Sequence, residues 1–111
     1  MSVEDRKSID FISYNQSLGL VTLTISDPID WISDPNHHIV LLQEKIESYL
    51  TFIESQEFLS RYPQYKGFPL RIEVVGKFPL SKYAGEFFKY AEGFVTDAGI
   101  AFSFRLFHKE F

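Results

Sequence analysis

Between positions 26 and 38 the chain reads Ser26-Asp27-Pro28-Ile29-Asp30-Trp31, then Asp34, then His37-His38. These are the residue types that do chemistry. Carboxylate oxygens and imidazole nitrogens suit a zinc-type ion, which takes three or four such ligands in tetrahedral geometry. His108, near the far end of the chain, would add a third imidazole if the fold brought it to the same rim. Asp27 and Asp30 could serve as a carboxylate pair, and Ser26-Asp27 with a distant histidine could be spelled into a nucleophilic triad.

A plainer reading accounts for most of these residues. Asp34 before Pro35 is a helix start, because a carboxylate accepts from free first-turn N–H groups and proline suits the first helical position. Asp27 before Pro28 forms a turn. Asp30 can pair with a first-turn N–H or with a basic residue across the rim, and Trp31 can seal the helix end by packing. Adjacent residues on a helix point about 100° apart, so His37 and His38 do not aim together at one ion. No HExxH spacing and no G-x-S-x-G elbow occurs, and Gly76-Lys77 lacks the remainder of a phosphate loop. No metal, cofactor or catalytic residue is therefore assigned. Asp27, Asp30, Trp31, His37, His38 and His108 stand as a candidate binding rim whose role, scaffold or site, the sequence leaves open.

The elements that must position this rim are legible. Residues 9–14 read as a first strand and Asn15 to Gly19 as a hairpin turn, in which Gly19 can take a positive φ. In 20–26, Val21, Leu23 and Ile25 alternate with Thr22, Thr24 and Ser26, the pattern of a half-buried strand. A first helix follows from Pro35 to about Ser55, with Ile39, Leu42, Ile46, Tyr49 and Ile53 on one stripe and Gln43, Glu44, Glu47 and Ser48 opposite. A further turn spans 57–61. Residues 62–69 form a loop crowded with Tyr62, Tyr65 and Phe68, rings that either fold over the core or form a contact patch. A third strand covers 70–77. Ser81 caps a second helix whose buried stripe is Ala84, Phe87, Phe88, Ala91, Phe94, Val95 and Ala98, and Gly99 stops it. A fourth strand covers 100–107, with Phe102, Phe104 and Leu106 inward.

The order β-β-α-β-α-β predicts an α+β fold, a two-layer sandwich. Its four-stranded mixed sheet has order 1-2-3-4, and right-handed crossovers put both helices on one face. The 111 residues suit a single domain, with residues 1–8 a flexible arm. Parallel strands are usually covered on both sides, so a second copy covering Val75, Phe107 and Phe111 on the open side, a homodimer, is an expectation too.

Composition narrows the function. Twelve Phe, six Tyr and one Trp give a small domain much buried area. Without cysteine there is no disulfide framework or thiolate chemistry, as in a reducing cytoplasm. The polar start is not a secretory signal, and apolar runs of four or five residues are too short for a membrane span. Fifteen acidic residues outnumber eleven scattered basic ones for a net charge of −4, which disfavours nucleic acid and membranes and suits a protein partner.

The segments Leu23-Thr24-Ile25-Ser26-Asp27, Asp30-Trp31, and His38 with Leu41-Leu42-Gln43-Glu44-Lys45-Ile46, Tyr49-Leu50 and Phe52-Ile53-Glu54-Ser55 resemble a family of small bacterial proteins without assigned function. The resemblance spans the chain from the first strand to the fourth and implies a bacterial origin and the same strand–loop–helix layout. It implies no activity. Pro28 stands where that family shows a histidine, which argues further against a metal there. The functional reading is then a non-enzymatic cytoplasmic domain acting through protein contacts, as an accessory factor or an acidic toxin-neutralising protein. The alternative is a small-ligand or metal-binding protein that uses the rim.

Overall fold

The computed structural model describes residues 9–107. Eight elements follow in order: β1 (Phe11–Asn15), β2 (Leu20–Asp27), α1 (Pro35–Glu54), α2 (Gln56–Arg61), a single 3₁₀ turn (Pro63–Tyr65), β3 (Leu70–Gly76), α3 (Lys82–Asp97) and β4 (Ala101–Leu106). The sheet order is β1-β2-β3-β4; β1 runs antiparallel to β2, and β2, β3 and β4 are parallel. This is the α+β layout expected from the alternation. Three helices replace the two expected, because Ser55 takes an extended conformation between α1 and α2. Its hydroxyl donates to the Phe52 carbonyl and closes the last turn of α1.

Strand parity decides the core. Val21, Leu23 and Ile25 of β2, Ile72 and Val74 of β3, and Phe102 of β4 are buried against Leu42, Ile46 and Tyr49 of α1 and Ala84, Phe87, Phe88, Ala91 and Val95 of α3. Both long helices thus share one face of the sheet. Ala98 does not join the stripe: α3 ends at Asp97, Ala98 is exposed, and Gly99 at φ +80° turns the chain. Gly76 explains itself by packing, since a Cβ there would lie 2.7 Å from the Phe104 ring. Its place before Lys77 is a steric requirement rather than part of a phosphate loop.

Strand boundaries shift by one or two residues. β1 begins at Phe11 because Asp10 turns its carboxylate to the Ser26 N–H, at 3.0 Å, instead of joining the ladder. β2 runs one residue longer, and that residue is Asp27. β3 and β4 stop at Gly76 and Leu106. On the face away from the helices lie Thr22, Thr24, Ser26, Arg71, Glu73, Val75, Ser103 and Arg105. Val75 is half-buried there and Phe107 is exposed, whereas Phe111 lies outside the described residues.

Candidate functional site

The rim is built at the carboxyl end of β2. Asp27 continues the parity of Val21, Leu23 and Ile25, so its carboxylate points into the helix layer and is buried. There it meets His38, one turn into α1, which is also buried. His38 Nε2 lies 2.8 Å from Asp27 Oδ1 and 2.6 Å from Oδ2. The Ile29 N–H also donates to Asp27 Oδ1, at 3.2 Å. On its other side, His38 Nδ1 donates to the Asp30 carbonyl at 3.1 Å. Trp31 covers the pair, its ring stacked on the imidazole with centroids 3.6 Å apart and planes 20° apart, and it meets Phe88 edge-on at 6.5 Å.

The chemistry of this cluster follows from its donors and acceptors. A carbonyl only accepts, so Nδ1 is the donor to Asp30, while Nε2 faces both carboxylate oxygens of Asp27. Neither ring nitrogen has a lone pair turned to solvent. His38 is a buried crosspiece that ties strand end, loop and helix together. Asp27 is thus more than the turn former expected from Asp27-Pro28.

Asp30 turns away from this pair. Its Oδ1 accepts from the N–H groups of Ile32 and Ser33 at 2.8 and 2.7 Å, and its Oδ2 from the Ser33 hydroxyl at 3.0 Å. Those bonds, the Ser33 N–H first, then the Ile32 N–H and the Ser33 hydroxyl, hold the Asp30 carboxyl below the usual range. Among the described residues, Asp30 pairs neither with the first turn of α1 nor with a base across the rim; it pins its own loop. Asp34 caps α1, accepting from the His37 N–H at 3.2 Å. His37 itself is exposed and does not converge with His38, and His108 lies outside the described residues. Among the described residues, no three His, Asp or Glu side chains come together as metal ligands.

The product of this pinning is the exposure of Ile32. Its neighbour Trp31 is buried, its own N–H is held by Asp30, and its side chain is 90% exposed. Tyr83 at the start of α3, 46% exposed, donates its hydroxyl to Asn36 Oδ1 in the first turn of α1, and Phe78 in the preceding loop is 37% exposed.

A second buried polar cluster escaped the sequence reading. Lys45 and Asp10 are both buried, with Nζ 3.0 Å from Asp10 Oδ1. Lys45 also lies 5.6 Å from the centroid of the Tyr49 ring. The Tyr49 hydroxyl donates to the Thr24 carbonyl and accepts from the Asp10 N–H at 2.8 Å. Burial pushes the Tyr49 hydroxyl well above the usual tyrosine range, with the nearby Asp10 charge adding to it and the Asp10 N–H opposing. The signal was present: Lys45 stands between Leu42 and Tyr49 at steps of three and four, on the buried stripe.

Tyr62, Tyr65 and Phe68 belong to a string of rings at the opposite end of the sheet. Phe52 meets Phe58, Phe58 meets Tyr62, Tyr62 stacks on Tyr65, Tyr65 meets Phe68 and Phe68 meets Tyr14, at centroid distances of 5.3 to 6.2 Å. Tyr65 packs against the core and Tyr62 is half-buried, while Phe68 is 40% exposed. Tyr65 thus packs on the core, Tyr62 lies between the Phe58 and Tyr65 rings, and Phe68 faces water.

The chain belongs to a family of unknown function, DUF6572, whose model matches residues 1–108. No curated protein and no solved structure matches it. Among the described residues, no helix is long and apolar enough to cross a membrane.

Proposed function

We propose that this chain is a non-enzymatic binding module that docks on a protein partner through loop 28–34, with Ile32 as the anchor. The observation that carries this reading is an isoleucine 90% exposed between a buried tryptophan and a pinned backbone. A loop already held in shape loses little conformational freedom on binding, so the contact it makes retains more of its free energy. Asp30 and Asp34 flank the apolar tip. A partner with an apolar socket edged by basic residues matches that arrangement, and the net charge of −4 would help steer such a partner in.

The cysteine-free composition supports a setting in the bacterial cytoplasm, where an accessory or toxin-neutralising role would use such a contact. The competing small-ligand reading has less support, since Asp27 and His38 satisfy each other.

Affinity capture from the native cytoplasm tests the proposal, with wild type and Ile32→Asp immobilised in parallel. The expected result is a protein retained by wild type and lost with Ile32→Asp, at an unchanged melting temperature. Identical retention by both would overturn the reading.

A further inference from the structure

The helix-free face of the sheet has the features of a second docking surface. Parallel strands seldom leave a face uncovered, yet among the described residues no helix packs on this side of β2, β3 and β4. A groove of about 330 Å³ crosses this face, lined by Phe11, Thr22, Thr24, Ser26, the Arg71–Glu73–Val75 side of β3, Arg105 and Phe107. Its floor is made of small hydroxyl side chains along β2. Two phenyl rings stand at its margins, Phe11 60% exposed on the β1 side and Phe107 54% exposed beyond β4.

The charge of the face runs against that of the whole chain. Two guanidiniums share one carboxylate: Arg71 Nη2 is 3.9 Å from Glu73 Oε2, and Arg105 Nε is 3.5 Å from Oε1. The Ser103 hydroxyl also donates to Glu73 Oε2, at 3.2 Å. Arg71 spends its Nε–H on the Thr22 hydroxyl at 3.1 Å. The Arg105 side chain is 58% exposed, so most of its five N–H donors face water. Among the described residues, two arginines to one glutamate leave this face net positive on a chain of net charge −4.

We infer that this open face takes an acidic amphipathic helix from a partner protein. Helices already cover the other side of the same sheet. The open-facing positions Thr22, Thr24 and Ser26 span ~13 Å along β2, a length matched by about two and a half turns of helix. Carboxylates on such a helix would meet Arg71 and Arg105, and its apolar side would meet Phe11, Val75 and Phe107. A second copy of this chain fits less well. A two-fold contact sets the same patch against itself, and like charges would then oppose each other. This surface is distinct from the Ile32 loop and does not depend on it.

Fluorescence anisotropy with two labelled helical peptides tests the inference, one patterned with Leu and Glu and the other with Leu and Lys. The Glu peptide is expected to bind. Its affinity should fall roughly tenfold with Arg105→Glu, and again on raising the salt, as charge-mediated contacts do. Lys89→Glu on the outer side of α3 and Ile32→Asp should leave it unchanged. Failure of the Glu peptide to bind, equal binding of the Lys peptide, or indifference to Arg105→Glu would overturn the inference. So would a dimer mass in sedimentation that reverts to monomer with Arg105→Glu, since the occupant would then be a second copy.

Discussion

One face of α1 carries two buried contacts between ionisable side chains, and they sit in different settings. His38 meets Asp27 eleven residues away, so the pair closes a local excursion of the chain. Its polar and ring partners belong to that excursion: the Asp30 carbonyl and the stacked Trp31 ring, next to the exposed Ile32. Lys45 reaches instead to Asp10, ahead of β1, which the Tyr49 hydroxyl and the Ser26 N–H also meet. This second contact fastens the antiparallel edge strand to the helix layer. Two buried polar contacts on one helix face thus lie behind an exposed loop in one place and behind an edge strand in the other.

The largest effects separate the two contacts. Lys45→Met leaves Asp10 buried without that cation and is expected to cost about 3–5 kcal/mol in chemical denaturation, with part recovered in Lys45→Met/Asp10→Asn. His38→Leu strands Asp27 similarly, with a cost of the same order. Trp31 is the only tryptophan of the chain, and its fluorescence divides the cases. The folded His38→Leu protein should show red-shifted emission as the ring loses its stacking partner, whereas Lys45→Met should leave the native emission in place. A red shift in both variants would mean that the two contacts form one unit.

A smaller effect sharpens the structural side. Tyr49→Phe removes two hydrogen bonds at a buried site and should cost about 1–3 kcal/mol. Because the native state holds the Tyr49 proton more tightly than the unfolded chain, its contribution is fully present below the usual tyrosine range. It is lost as pH rises through the elevated native value. Wild type should therefore lose stability in the alkaline range, a loss that Tyr49→Phe does not share.

The smallest effect belongs to the loop. The Asp30 carboxyl is held below its ordinary range, so its contribution is present above that range and disappears as pH falls through the lowered native value. Asp30→Ala should lower the melting temperature slightly at neutral pH and not at all in strong acid. Proteolysis within loop 28–34 should nevertheless accelerate at neutral pH. A variant as resistant as wild type would show that His38 and Trp31 hold the loop unaided.

Much of this was legible along the chain. The alternation of β2 and β3 and the stripes of both long helices specify layers, because a period of two or of 3.6 leaves only one way to bury the apolar side. The same periods marked the buried charges. Asp27 follows Val21, Leu23 and Ile25 in parity, and Lys45 falls among Leu42, Ile46 and Tyr49. Asp27-Pro28 looked like a turn because proline does end the strand, and that local meaning hid the tertiary one. For Lys45, nothing local names the acid that sits opposite.

The sequence by itself determined the order of elements, the sheet topology and which side of each strand is apolar, since these follow from periodicity, turn residues and the handedness of crossovers. Tertiary structure alone decided that His38 rather than His37 meets Asp27, that Lys45 finds Asp10, and that Ile32 is left in water. The physical reason is that a charge or an apolar side chain acquires its role from what lies across the core, and strand and helix periods say which way a residue points but not what it meets.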